Sequence, residues 1–111
     1  FIAETNQLEI AEVKRLFLDK TYRVFMIGFL PGFPYMGKID NRISTPRKEI
    51  PRGKVKKGSV GIAGSQTGIY PMDSPGGWQI IGKTNVELFT PGEASPSYLE
   101  PGDHVKFVEK T

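Results

Sequence analysis

Apolar residues recur at helical spacing in one place along the chain, residues 8–18 (LEIAEVKRLFL), where Ile10, Val13, Leu16 and Phe17 fall on one face. This predicts a helix over about 8–19. Asn6, with Glu9 three residues on, offers a capping box. Lys14, Arg15 and Lys20 stand toward the C-terminal end, where cations suit the helix dipole. Residues 23–29 (RVFMIGF) are apolar nearly throughout and bounded by polar residues and Pro31, the pattern of a buried strand. Residues 31–37 (PGFPYMG) hold two prolines, two glycines and two aromatics, which predicts a rigid loop without regular structure. Pro46 and Pro51 restrict residues 38–58 to short edge strands at most. Short extended segments follow at Ser59–Ala63, Ile69–Pro71, Trp78–Ile81, Val86–Phe89 and Val105–Val108. Turn signals separate them: Gly64, Gly68, Pro75-Gly76-Gly77, Pro91-Gly92 and Pro101-Gly102. Strands this short and closely spaced predict an antiparallel barrel or sandwich.

Composition narrows the picture. The 111 residues suffice for one domain, 1–111, and 13 glycines with 9 prolines argue against a helical bundle. The absence of cysteine removes disulfides and Cys-containing zinc sites, and a lone histidine, His104, makes a His-based metal site or a Ser-His-Asp triad hard to assemble. No metal is expected. The longest apolar run, Val24–Leu30, falls far short of a membrane span, no secretory signal is visible, and a cytoplasmic location is expected. The chain begins with Phe1, as a fragment of a longer protein would. Net charge is a mild +3, yet seven of the fifteen basic residues lie between Arg42 and Lys57 beside a single acid, Glu49. That local positive potential suits an acidic partner, phosphate or carboxylate, or else a solvated loop. Aromatics do not interleave with it, and no nucleic-acid motif is present.

The segment Gly77–Thr84 (GWQIIGKT) fits the nucleotide pattern GxxxxGK[ST] in letters only. A phosphate-cradling loop needs small residues whose N–H groups turn inward, with a helix starting at the lysine. Trp78, Gln79, Ile80 and Ile81 read as a strand instead, and Pro91 follows too soon for that helix. His104, at the start of the last strand, reads as a structural or surface residue, and Asp73 as a turn cap. Residues 59–84 hold Gln66, Thr67, Tyr70, Ser74, Trp78 and Gln79 among six glycines. Such a stretch either exposes backbone N–H groups to a ligand or simply turns tight corners.

Three blocks carry a resemblance: Phe29–Gly37 (FLPGFPYMG), Gly58–Pro71 (GSVGIAGSQTGIYP) and Ser74–Thr84 (SPGGWQIIGKT). From about Ala11 to Val108 the chain resembles the family that unites the first subunit of allophanate hydrolase, the B subunit of 5-oxoprolinase and the KipI inhibitor of a sporulation histidine kinase. The resemblance implies a mainly β fold, a cyclophilin-like closed β-barrel with one short N-terminal helix and strands over about 23–108. It also implies that an N-terminal α/β domain and the opening barrel strand are missing. A paralogous C-type subunit is implied as partner in a hetero-oligomer. The assembled complex would convert 5-oxoproline to glutamate with ATP, and this domain alone would bind no cofactor. The alternative it carries is a KipI-type inhibitor that binds a sensor histidine kinase and blocks autophosphorylation. By position, the implied substrate- or partner-binding residues are Phe33, Tyr35, Arg47, Gln66, Thr67, Tyr70, Ser74, Gly76 and Trp78. Chemically, Arg47 suits a bidentate carboxylate, Gln66 and Thr67 supply directional polar groups, and the aromatics exclude water. No acid, base or nucleophile is assigned. The Arg52–Lys57 run is more basic than the family pattern, which leaves the role of that loop open.

Overall fold

The patterned segments fold as strands and helices with some shifted boundaries. The computed structural model describes residues 2–90, 92 and 97–109. A four-residue helix, α1 (Ile2–Thr5), which the spacing did not predict, precedes α2 (Ile10–Leu18). Asn6 does not cap α2. Its Nδ2 donates to Ile2 O (2.9 Å) and to Thr45 Oγ1 (3.0 Å), and Glu9 takes the N-cap position without a side-chain bond. Val13, Leu16 and Phe17 are buried as the period predicts, whereas Ile10 is 70% exposed.

Eight strands follow: β1 (Thr21–Ile27), β2 (Pro34–Gly37), β3 (Arg52–Val55), β4 (Ser59–Ala63), β5 (Gln66–Ile69), β6 (Ser74–Gly76), β7 (Gln79–Lys83) and β8 (His104–Lys106). A 3-10 turn, Asn41–Ile43, lies between β2 and β3. The predicted irregular loop at 31–37 is therefore half strand. Pro34 sits at the first strand position, where its missing N–H is tolerated, and pairs with Ile27. Val86–Phe89 is not a strand: Leu88 O accepts from Tyr98 N (2.9 Å), and Phe89 makes only an isolated bridge to Ser97. Pro91 of the Pro91-Gly92 turn lies outside the described residues.

Six strands form one antiparallel sheet in the order β7-β4-β5-β2-β1-β8, and β3 pairs with β6 in a separate two-stranded ribbon. The expected closed barrel is not what the chain builds. β7 and β8 are the two free edges of the sheet, and residues of both line one groove of about 950 Å³. No strand among the described residues bridges them, so the ladder stays open.

Strand alternation gives the sheet two buried faces. Tyr22, Val24, Met36, Val60, Ile62 and Ile69 point to one, where Val13, Leu16 and Phe17 of α2 pack with Ile39, Ile43 and Leu88. Tyr35 and Ala63, each adjacent in sequence to a residue of that face, turn to the other, where they meet Phe33, Tyr70, Trp78 and Val55 of the ribbon. The candidate site lies on this second face.

Candidate functional site

Phe33 is the centre of the second face. It is fully buried, and its ring lies 5.3 Å from Tyr70 (88°), 5.3 Å from Trp78 (72°) and 5.0 Å from Tyr35. Tyr35 closes the set on Trp78 at 5.9 Å. The edge-to-face contacts direct the positive ring edge of one aromatic at the negative face of the next. Gly68 makes the centre possible, because a Cβ there would come within 2.7 Å of the Phe33 ring.

Arg47 reaches the cluster from the loop before the ribbon, its Cζ 5.6 Å from the Trp78 ring centroid, a cation–π arrangement. Two bonds hold that loop: Gln79 Nε2 donates to Pro46 O (3.2 Å), and Lys48 N donates to Gly77 O (2.7 Å). Arg52 on β3 pairs across the ribbon with Gly76. Asp73 secures the base of the ribbon. Its Oδ1 accepts from Lys57 N (2.7 Å), and Oδ2 lies 3.4 Å from Lys54 Nζ. The Lys57 N–H first, then Lys54, holds the Asp73 carboxyl below the usual carboxylate range.

Tyr70 is anomalous. Its side chain is fully buried, and Oη makes no hydrogen bond of acceptable geometry. The atom lies so close to Gly76 that any Cβ there would collide with it. Burial raises the phenol above its ordinary value, opposed first by the nearby Trp78 backbone N–H and then by the charges of Arg47 and Arg52. Trp78 N–H offers a donor at best, so the hydroxyl proton of Tyr70 still has no acceptor.

Of the sequence-predicted residues, Phe33, Tyr35, Arg47, Tyr70, Gly76 and Trp78 gather here. Thr67 does not: it stands opposite Met36 and Ile62 on the other face, with Oγ1 donating to Gly61 O (2.8 Å). Ser74 lies on the ribbon opposite Val55, with its hydroxyl on Pro75 O (2.9 Å). Gln66 stands at the β4–β5 turn, paired with Ala63 and Gly37. The predicted set omits Gln79, Val55, Arg52 and Lys48. Gln79, a polar residue inside an apolar strand pattern and only 3% exposed, was the signal available.

The gathered rings of Phe33, Tyr70 and Trp78 are buried and exclude water. Among the described residues no carboxylate or imidazole is buried with the aromatic cluster, so its buried interior offers no general acid or base of that kind. His104 is exposed on β8 and lines the groove instead. Among the described residues no three His, Cys, Asp or Glu side chains are placed to hold a metal, and no helix is long and apolar enough to cross a membrane. Within the GWQIIGKT segment, Gln79–Lys83 forms β7 and not a phosphate-cradling loop.

The family model of the carboxyltransferase domain, subdomain C and D, matches residues 1–99. The chain is 52% identical over 107 residues to the B subunit of 5-oxoprolinase from Bacillus subtilis, covering 96% of this chain and 45% of the relative. A conserved protein of Pyrococcus horikoshii superposes with a TM-score of 0.92 at 54% identity, over 97% of this chain and 50% of that one. The urea amidolyase of K. lactis superposes at 0.80 with 25% identity, over 96% and 7%. The chain thus spans about half the length of the 5-oxoprolinase B subunit it matches.

Proposed function

The chain belongs to the family of the carboxyltransferase domain, subdomain C and D, and from that premise we propose that it is the substrate-side portion of a protein like the B subunit of 5-oxoprolinase. It acts with a C-type partner subunit in the ATP-dependent conversion of 5-oxoproline to glutamate. The observation that carries this reading is the 52% identity to a 5-oxoprolinase B subunit over 96% of the chain. The aromatic face supports it. A small cyclic amide presents a flat apolar body, which suits Tyr35 and Trp78, and a carboxylate, which suits Arg47.

The residues of this chain bind and desolvate. The ATP-consuming step needs residues beyond the nucleotide-like segment, because Gln79–Lys83 of that segment is strand β7 and exposes no phosphate-cradling loop. The proton transfers of ring opening likewise need groups from outside the aromatic cluster, which makes a shared active site the natural arrangement. The kinase-inhibitor alternative is not favoured by the relatives of this chain.

Co-expression of the B-like protein with its C-type partner and the remaining 5-oxoprolinase subunit tests the reading. ATP-dependent release of glutamate from 5-oxoproline is the expected result, with Arg47→Ala lowering kcat/KM about tenfold or more. Full turnover in an assembly lacking this protein would refute it.

A further inference from the structure

Three features converge on the Gly76–Gly77 backbone. Tyr70 Oη abuts Gly76 from beneath, and no acceptor takes its proton. A buried hydroxyl without a partner costs about 1–3 kcal/mol, so native proteins rarely leave one without cause. Arg52 lies opposite Gly76 across the ribbon. Arg47 sits on Trp78, with its Cβ 3.9 Å from where a Cβ on Gly77 would stand. Neither arginine makes an ion pair among the described residues, although Lys54 and Lys57 beside them do. Two exposed arginines without a carboxylate among the described residues and one buried hydroxyl without an acceptor thus lie near a stretch of bare backbone.

The cover over this point is thin. β6 is three residues long, belongs to a two-stranded ribbon, and has no ladder bond to the main sheet. Access to Tyr70 Oη therefore requires Gly76 to move outward, because the atom is buried against it.

We propose that Tyr70, Arg47 and Arg52 form a recognition centre for a small carboxylic acid that also carries a carbonyl acceptor. The two arginines take the carboxylate, the Tyr70 hydroxyl donates to the carbonyl, and Trp78 packs on the body between them. The proposal rests on the ligand-binding reading of this face and adds to it the assignment of each group. Arg52 and the Tyr70 hydroxyl become specificity determinants: the first fixes the acid, the second distinguishes a lactam from a saturated ring.

Binding to the 111-residue chain tests this without turnover, because Trp78 is the sole tryptophan and reports on the site directly. The chain is titrated with 5-oxoproline, with 2-pyrrolidinone, which lacks the carboxylate, and with proline, which lacks the carbonyl. Trp78 emission and calorimetry are followed together. Saturable 5-oxoproline binding is expected, with both analogues at least about tenfold weaker. Arg47→Ala and Arg52→Ala each weaken 5-oxoproline binding about tenfold or more and erase its advantage over 2-pyrrolidinone. Tyr70→Phe weakens it roughly five- to tenfold and removes most of its advantage over proline. Absence of saturable binding by both readouts overturns the proposal, as does equal affinity for the three compounds. So does an Arg52→Ala or Tyr70→Phe variant with unchanged selectivity. Loss of binding here with intact turnover in the full assembly would refute this site alone. Intact binding with no turnover would refute the proposed function and leave the site standing.

Discussion

At the scale of single residues, the aromatic face makes two sharp demands. Phe33 touches three other rings of the cluster and has no exposure. Phe33→Ala is expected to destabilise the chain by about 3–5 kcal/mol, measured by denaturant midpoint, and to shift Trp78 emission to the red as water enters. Tyr70 behaves in the opposite way. Deleting a buried hydroxyl that lacks a partner removes its desolvation cost, so Tyr70→Phe should leave stability equal or raise it by about 1 kcal/mol. Gly76→Ala should cost about 1–3 kcal/mol, because the added Cβ would run into Tyr70 Oη. Part of that cost should return in the Tyr70→Phe background, a coupling that a double-mutant cycle reads directly. A Gly76→Ala cost indifferent to the hydroxyl would show that the two do not bear on each other.

Elements differ in how readily the chain announces them. Helix α2 was legible, because Val13, Leu16 and Phe17 repeat at its period and nothing competes with them. So was β4, predicted at the residues it occupies. β2 was hidden by Pro34, which reads as a loop former until its place at the start of the strand is known. Val86–Phe89 misled in the other direction: Leu88 is buried by packing on the first core and makes no ladder. The aromatic members of the site were visible as residue types. That Thr67 faces away from them was not, since it depends on the register Met36↔Thr67, a long-range pairing that no local pattern encodes. The ribbon was the least legible element, because it is secured by Asp73, sixteen residues from the Lys57 N–H it accepts. The same carboxylate makes the ribbon sensitive to acid. The Asp73 and Asp40 carboxyls are both held below their ordinary values, Asp73 first by the Lys57 N–H and Asp40 first by the Arg42 side chain. A depressed carboxyl contributes stability above its unfolded value, about 4, and loses it as pH falls toward the folded one. Thermal midpoints should therefore drop below about pH 4, and Asp73→Asn with Asp40→Asn should flatten that acid limb. A limb of unchanged steepness would assign the acid sensitivity to other groups.

For the molecule as a whole, the six-stranded sheet lies between the two buried clusters and, among the described residues, does not close. α2 is tied to the far end of the chain by Lys106 Nζ, which donates to Leu18 O, and by Lys14 Nζ to Glu109 Oε2 at 3.0 Å. The ammonium of Lys106 thereby meets the negative end of the helix, where a cation is favoured. These links brace β8 against the helix while, among the described residues, no strand pairs its outer edge or that of β7. The consequence is colloidal. Strand edges without a partner among the described residues can accept a further strand, and the exposed ammonium of Lys83 works against that on the β7 side. Lys83→Val should therefore make the mean mass climb more steeply with concentration than it does for the parent chain, visible by light scattering.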